Sequence, residues 1–367
     1  MKKRTAALLL ALLILLPVLT RAEEDLDLEI EESIGEEASG YAEGEFGAEN
    51  SGETAAADET VTEKDGWYFN ARGFLTGDDN PGEEYLLEDE ENGTWQYSSR
   101  SLCIKITRVR EQVKVKKGKK TREYAVAEIW ASEDSPMTTI ATEATNKKPA
   151  GHKQVSPEVL IEKHPCVFAM SDDFYGSRLR NIMAKTSARQ PGIIIRNGEI
   201  RWEKTKSSTG KSARQRPCLD TLAVYGDGSM KTYLSDAMTA QEYLDKGATQ
   251  VFAFGPWLIS EGKINEKEAT DGCGYYEQNE PLTGLGMIEP YHYIAIVLKG
   301  RPTDKYVGAH LSWLAAKMKE YGCVEALNLD GGGTATMMFN GKVVMCGIGD
   351  GHLRSMGSMI VFGSKEE

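Results

Sequence analysis

Residues 325–339, which read EALNLDGGGTATMMF, constrain the fold more than any other stretch of the chain. An alternating apolar run ends at Asp330, three glycines follow, and a second β-prone run continues through Met338. Glycine is unfavourable inside strands and helices, so the triplet predicts a turn that needs positive φ angles or close approach to the backbone. The pattern therefore predicts two strands joined by a turn with a carboxylate at its entrance.

Asp330 has two interpretations. The backbone N–H groups of such a turn can bind an anion or a sugar oxygen, and the carboxylate then serves as a base, a nucleophile or a metal ligand. Alternatively, Asp330 hydrogen-bonds its own backbone in a structural turn. Loops at strand ends often carry functional residues, so both interpretations stay open.

The residues around this turn predict a rigid frame. Apolar residues from Leu311 to Tyr321 recur at helical spacing, and Gly322 is well placed to end that helix. Residues 323–329 then form a predicted buried strand. Asn340 and Gly341 lie between two β-prone runs, which is a strong hairpin signal.

The N-terminal region divides into two segments. Residues 1–22 begin with Lys2, Lys3 and Arg4, continue with an apolar run, and end with a small-residue exit at Ala22, which is typical of a secretory signal peptide. Residues 23–65 contain 17 carboxylates and one lysine, with few large apolar residues. We expect this segment to be a disordered acidic linker. The remaining residues, 66–367, are predicted to form one folded domain with a net charge near −1.

The first part of this domain, residues 95–131, supplies lead-in strands. Two β-prone runs, 102–109 and 123–131, flank the sequence KKGKK at 116–120, which predicts a hairpin with a basic tip. Basic tips are usually solvated turns that discourage edge pairing. Aromatic residues do not alternate with these lysines, so we expect no nucleic-acid partner.

A second pair of carboxylates follows another predicted strand. The run 166–170 is apolar, and Asp172 and Asp173 come directly after Ser171. Neighbouring residues on a strand point to opposite faces, so at most one of the two aspartates is expected to face a shared site. The alternative is a turn with two solvated aspartates.

The fold class predicted from these patterns is α+β, with a mixed, largely antiparallel sheet, several hairpins and a few packed helices. The chain contains no internal repeat, no P-loop, no dinucleotide-binding glycine motif and no Gly-x-Ser-x-Gly elbow. These absences argue against nucleotide enzymes and serine hydrolases. The six cysteines show no zinc-ligand spacing.

The segment NLDGGGTATM at 328–337 resembles the signature of the phosphodiester glycosidase family. Similar blocks occur in the same order, and the resemblance extends from about residue 95 to the C-terminus. They are AMSDDFYG at 169–176, GIIIRNG at 192–198, FGPWLI at 254–259, and PYHY at 290–293 followed by Gly300 and Arg301. The resemblance implies cleavage of a sugar from a phosphodiester by an exported bacterial protein.

Two departures from the family pattern bear on activity. Leu282 stands where relatives carry an arginine, and Ser171 and Asp172 replace an asparagine and a glycine. If the replaced groups bind phosphate or orient the sugar, we expect activity to be altered or lost.

The residue chemistry and the implied activity fit one hypothesis. Departure of a phosphate monoester needs little acid assistance, so a carboxylate near the sugar and cations near the phosphate are sufficient. We predict Asp330 and Asp173 as the catalytic carboxylates and His292 as a proton donor, although a lone histidine is more often structural. The predicted substrate-binding residues are Asn328, Gly331, Gly332, Gly333, Thr334, Arg301, Arg354 and Asp172.

Two alternatives remain. One is a non-catalytic carbohydrate-binding protein of the cell envelope, and the other is a metal-dependent phosphodiesterase in which Asp172, Asp173 and Asp330 bind the ion. We expect no cofactor, with a divalent cation at the aspartates as the second interpretation. The expected partner is a carbohydrate or sugar phosphate, outside the cytoplasm, without stable membrane insertion after signal cleavage.

Overall fold

The computed structural model describes residues 60–143, 151, 153–173, 192–205, 217–265, 278–300, 305–349 and 351–365. The predicted signal peptide, most of the predicted linker, and Arg301 lie outside these ranges.

Strands dominate the described part of the chain. In chain order they are β1 Thr62–Lys64, β2 Trp67–Phe69, β3 Tyr85–Asp89, β4 Thr94–Ser98, β5 Cys103–Val115, β6 Gly118–Trp130, β7 Thr138–Ala141, β8 Cys166–Ser171, β9 Ile194–Arg196, β10 Glu199–Trp202, β11 Asp220–Tyr225, β12 Met230–Tyr233, β13 Ala248–Phe254, β14 Trp257–Ser260, β15 Lys263–Ile264, β16 Thr283–Glu289, β17 His292–Leu298, β18 Glu325–Leu329, β19 Thr336–Phe339, β20 Lys342–Cys346 and β21 Ser358–Ser364.

These strands form four sheets. The largest has nine strands in the order β15-β14-β18-β16-β17-β6-β5-β4-β3. Two five-stranded sheets have the orders β20-β19-β8-β21-β7 and β10-β9-β13-β11-β12, and β1 pairs with β2. Because β1 begins at Thr62, ordered structure starts inside the segment that we predicted to be linker.

The lead-in strands are an integral part of the largest sheet. Strands β5 and β6 are thirteen residues each and pair along their whole length, so both are longer than the runs predicted from sequence. Strand β6 also pairs with β17 at seven positions, from Trp130 opposite His292 to Tyr124 opposite Leu298. Residues 94–130 therefore sit in the middle of this sheet.

Three α-helices occur among the described residues: α1 Pro157–Lys163, α2 Ala240–Asp245 and α3 Leu311–Glu320. Ser156 caps α1, and Thr239 and Glu242 form the capping box of α2 that their spacing predicts. A 3-10 turn, Gly332–Thr334, lies between β18 and β19.

The apolar side of helix α3 packs closely on the largest sheet because Gly284 in β16 leaves room for the helix side chains. Leu314 and Met318 are fully buried, and a Cβ atom on Gly284 would lie 2.6 Å from the Met318 Cε atom. Glycine at this position thus permits close helix–sheet contact.

The main core lies between the largest sheet and the sheet that contains β8. Ile129 and Tyr293 from the former join Phe168 and Phe362 from the latter in one buried cluster. This contact brings the end of β8 close to the end of β18.

The prediction of antiparallel hairpins is correct, but the predicted proportion of helix to strand needs correction. The described residues are 49% strand and 10% helix, and all pairings between the named strands are antiparallel. The protein is therefore largely β rather than a balanced α+β fold with a mixed sheet. No helix within the described ranges is long and apolar enough to span a membrane.

Candidate functional site

Two strand ends from distant parts of the chain meet at the candidate site. The backbone N–H of Asp330, just after β18, donates a hydrogen bond to the Asp172 carbonyl oxygen at 3.2 Å, just after β8. The Thr336 N–H donates to the Ser171 hydroxyl at 3.2 Å. The structure thus brings together the two acidic segments that the sequence singles out.

The side chains of Asp172 and Asp173 share one cation. Both carboxylates accept hydrogen bonds from the Arg196 guanidinium, and Asp173 also accepts from the Ala253 N–H. Asp172 accepts a further bond from the Ser358 hydroxyl. Both side chains can reach the same cation because β8 ends at Ser171, so strand alternation does not apply to Asp172 and Asp173.

These contacts also change the role expected of Asp173. Its side chain is 0% exposed, and both of its oxygens accept hydrogen bonds from within the protein. A carboxylate held in this way is poorly placed to contact a sugar. The geometry assigns Asp173 to holding the strand end in position rather than to the second catalytic carboxylate that we predicted.

Arg196 is a buried residue next to the site that sequence reasoning did not single out. It is 5% exposed, donates to the carbonyl oxygens of Ile195 at 3.0 Å and Val251 at 2.7 Å, and lies 4.5 Å from the Phe252 ring centroid. The signal for it is the position of a cation within the apolar run GIIIRNG, since a buried arginine requires buried acceptors.

The three glycines serve two different purposes. Gly332 has a φ angle of +61°, which favours glycine. A Cβ atom on Gly331 would overlap the Pro281 carbonyl oxygen, and one on Gly333 would lie 2.9 Å from the Arg354 Nη2 atom. At Gly331 and Gly333, the space beside the backbone that a ligand could have used is therefore occupied by other groups of the protein.

Not all amides of the turn are available for phosphate. The Gly332 N–H donates to the Pro281 carbonyl oxygen at 2.9 Å, which corrects its predicted role in phosphate binding. Gly332, Gly333 and Thr334 are buried, whereas Gly331 is half-buried. Solvent therefore reaches the turn at Gly331, next to Asp330, whose own exposure is 7%.

Arg354 lies at the other end of the same turn. Its backbone N–H donates to the Gly333 carbonyl oxygen at 3.3 Å, and its guanidinium donates to the Thr334 hydroxyl at 3.4 Å. The residue is exposed. A solvent-facing cation is thus held beside the turn, where it can contact an anion in solvent.

The nitrogen and the oxygen of the Asn328 side-chain amide have different environments. Its Nδ2 atom donates to the Gly255 carbonyl oxygen at 2.9 Å, and its buried Oδ1 atom accepts no hydrogen bond among the described residues. Asn328, Gly331 and Leu282 line a cavity of about 10 Å³, which is room for one water molecule. Leu282 makes its part of the cavity wall apolar.

His292 lies away from this site. It begins β17, whereas the site is beside the opposite end of that strand, where Leu298 pairs with Leu282. Six residue steps along a strand span about 20 Å. The prediction of His292 as a proton donor to the site is therefore wrong.

The contacts of His292 are structural. Its ring stacks on Trp130 with 3.3 Å between centroids, and its Nε2 atom lies 2.9 Å from the Glu128 carboxylate. Burial raises the pKa of Glu128, but the hydrogen bond and charge of His292, with Lys105, bring that pKa below its usual value.

The remaining predictions name residues that would bind phosphate or a metal ion. Arg301 lies outside the described residues, although the preceding Gly300 N–H donates to the Gly347 carbonyl oxygen at 2.8 Å. Within the described ranges, no group of three or more His, Cys, Asp or Glu residues is arranged to hold a metal ion. Asp172 and Asp173 already accept hydrogen bonds from Arg196, which makes them poor ligands.

The fold and the site define a class of protein. It is a largely antiparallel β protein in which a carboxylate precedes a glycine turn and an arginine from a later loop lies beside the last residues of that turn. Residues 164–363 match the family described as phosphodiester glycosidase, and the chain belongs to that family.

Individual relatives are distant. The chain is 22% identical over 230 residues to the uncharacterized protein YomE, derived from the SPbeta prophage of Bacillus subtilis strain 168. The match covers 59% of this chain and only 33% of that protein.

Among solved structures, the fold is similar to the catalytic domain of zebrafish N-acetylglucosamine-1-phosphodiester alpha-N-acetylglucosaminidase, auto-inhibited by its pro-peptide. The TM-score is 0.51 at 16% identity, and the match covers 78% of this chain and 90% of that one. This likeness concerns the fold.

Proposed function

We propose that the protein is an exported hydrolase that cleaves a sugar from a sugar-1-phosphate diester in a cell-envelope or extracellular glycan. One observation supports this most directly: Asp330 and Arg354 lie at the two ends of one four-residue turn. A carboxylate near the anomeric carbon and a guanidinium near the phosphate match the charges that develop as this bond breaks.

The proposed reaction uses water as the acceptor. Asp330 takes a proton from water as the oxygen attacks the anomeric carbon, and the bond between C1 and the bridging oxygen breaks. The electron pair leaves with the phosphate monoester, whose charge Arg354 stabilises. Asn328 accepts a hydrogen bond from a water molecule in the adjoining cavity through its Oδ1 atom.

The position of bond cleavage separates the proposal from its alternatives. A synthetic sugar-1-phosphate diester is incubated with the purified protein in ¹⁸O-labelled water. We expect free sugar that carries the label and an unlabelled phosphate monoester. Label in the phosphate, with release inhibited by a chelator, would instead indicate a metal-dependent phosphodiesterase. Binding without turnover would indicate a carbohydrate-binding protein.

Asp330→Asn tests the assignment of the carboxylate. The substitution preserves shape and removes the proton acceptor, so we expect the turnover rate to fall at least about 10²-fold. Asp79→Asn, the same change at an exposed aspartate, is the matched control and should leave the rate unchanged. An unchanged rate in Asp330→Asn, with both variants folded by circular dichroism, would remove Asp330 from the mechanism.

A further inference from the structure

The β5–β6 hairpin extends beyond the sheet that contains it. Strand β4 pairs with β5 only as far as Thr107, and β17 pairs with β6 only from Tyr124. The segment between these points, residues 109–122, is a two-stranded projection that we call the basic arm. It contains seven lysines and arginines and one glutamate, a net charge of +6, in a domain that is close to neutral.

Three cations of the basic arm, Arg110, Lys114 and Lys119, lie on one face, and Lys116 and Lys117 form the turn at its tip. Lys114 lies directly opposite Lys119, and Arg110 lies opposite Glu123 on the same face. Like charges at directly opposed positions of an antiparallel pair are destabilising. This repulsion is relieved when an anion binds across Lys114 and Lys119.

This face continues toward the candidate site. Glu123 accepts hydrogen bonds from Arg110 at 3.0 Å and from Lys299 at 3.1 Å. Lys299 follows Leu298, whose backbone pairs with that of Leu282 in the cavity wall. Along β5, Lys114 and Arg110 are four residues or about 13 Å apart.

The base of the basic arm also contacts the loops that cover the glycine turn. The Val307 N–H donates to the Thr121 carbonyl oxygen at 2.9 Å. The neighbouring Tyr306 ring packs against Gly349, and Gly347 packs against the Gly332 carbonyl oxygen. The arm therefore projects from the end of the sheet at which the site lies.

We propose that the basic arm binds the phosphodiester-linked glycan chain whose end unit is cleaved at Asp330, an inference that rests on the proposed function. Such a chain carries one negative charge for each linkage, which matches a row of separated cations. The Gln112 amide donates to the Thr121 hydroxyl at 3.1 Å between these cations, so polar groups line the same face.

Other polyanions fit the basic arm less well. Single-stranded nucleic acids bind through aromatic stacking as well as charge, and the arm contains no aromatic residue. Stable attachment to an anionic membrane needs an exposed apolar anchor, whereas the three valines of the arm are buried or half-buried.

The test compares two variants with the same change of charge. The arm variant carries Lys114→Gln, Lys116→Gln, Lys117→Gln and Lys119→Gln. The control variant carries Lys163→Gln, Lys246→Gln, Lys263→Gln and Lys319→Gln, and all eight lysines are exposed. Binding of a fluorescent phosphodiester-linked oligosaccharide is measured by anisotropy, with the unphosphorylated oligosaccharide as reference.

We expect the arm variant to bind the phosphodiester-linked oligosaccharide about tenfold more weakly at low salt, and the control variant to bind as the wild type does. The KM for this oligosaccharide should rise by a similar factor, with kcat and the kinetics of a single diester unchanged. Equal weakening in both variants would overturn the proposal. Tighter binding of DNA or anionic vesicles by the arm would also overturn it.

The binding measurement does not depend on turnover. If the protein bound the oligosaccharide through the basic arm and cleaved no diester, the proposed hydrolase activity would be refuted and the proposed binding site would be supported. If it cleaved the single diester and the arm variant bound the oligosaccharide as tightly as the wild type, the hydrolase activity would be supported and the binding site on the basic arm would be refuted.

Discussion

At the scale of single residues, the site is shaped by close approach of backbone to backbone. Gly331 follows Asp330, and its Cα faces the Pro281 carbonyl oxygen, which also accepts the Gly332 N–H. A methyl group at Gly331 would overlap that oxygen. The position of Asp330 therefore depends on the absence of a side chain at the next residue.

Gly331→Ala tests this dependence. Because neither backbone segment can move freely, we expect a loss of about 1–3 kcal/mol in the free energy of unfolding, with a lower kcat for the diester. Gly226→Ala is the control, since Gly226 is exposed, does not use a positive φ angle, and leaves open space within 4 Å of where a Cβ atom would lie. Equal stability of the two variants, measured by urea unfolding, would contradict the interpretation.

Buried charge sets the other constraint at this scale. Arg196, Asp172 and Asp173 are each at most 5% exposed, and a charge removed from water this completely needs a partner of opposite sign. Their hydrogen bonds tie β9, β13 and the end of β8 together. The cluster fixes the Asp172 carbonyl oxygen that accepts the Asp330 N–H.

At the scale of elements, the β5–β6 hairpin is attached to the end of β17 by an ion pair between buried Glu123 and half-buried Lys299, as well as by backbone hydrogen bonds. Burial raises the pKa of Glu123, but the hydrogen bonds and charges of Arg110 and Lys299 lower it below its usual value. A carboxyl whose pKa is lowered by folding stabilises the protein above its unfolded pKa. That contribution is lost as the pH falls through the folded pKa.

Glu123→Gln should therefore change the pH dependence of stability. At pH 7 we expect a loss of about 2 kcal/mol in the free energy of unfolding, since a buried charged hydrogen bond is removed. Below about pH 4.5 the difference from the wild type should shrink, because the wild-type carboxyl becomes protonated. Urea unfolding at a series of pH values measures this.

Glu133→Gln serves as the control for this series, because Glu133 is exposed. Its stability should follow the wild type at every pH. A difference between Glu123→Gln and the wild type that stayed constant from pH 7 to pH 3 would show that the ion pair does not stabilise the hairpin.

At the scale of the whole molecule, the family domain depends on strands that precede the matched residues. The family match begins at residue 164, yet β17 pairs with β6 at seven positions. The main buried cluster also includes Trp95, Ile104 and Ile129. The sheet that carries Asp330 is thus incomplete without residues 94–130.

Truncation tests this dependence. A fragment that starts at residue 153 exposes both the paired edge of β17 and apolar surface of the core, so we expect it to aggregate on gel filtration and to unfold without cooperativity. A fragment that starts at residue 60 keeps all the described strands and should unfold cooperatively. Cooperative unfolding of the shorter fragment would show that the matched region folds alone.

The local elements follow from residues that are neighbours in the chain. The capping box of α2, the apolar stripe of α3 and the hairpin at Asn340 and Gly341 all occur where their residues predict them. Each depends on residues that are close together in the chain, so propensity and spacing are sufficient. The strand–glycine turn–strand pattern around Asp330 is of the same kind.

Which of the singled-out side chains meet depends on long-range strand pairing. Strand order placed His292 at the far end of β17 from the turn, and it placed Arg196, more than twenty residues from Asp172, between the two aspartates. The physical reason is that strand pairings link residues far apart in the chain. Such pairings determine both burial and the partners of a buried charge, and no local pattern contains them.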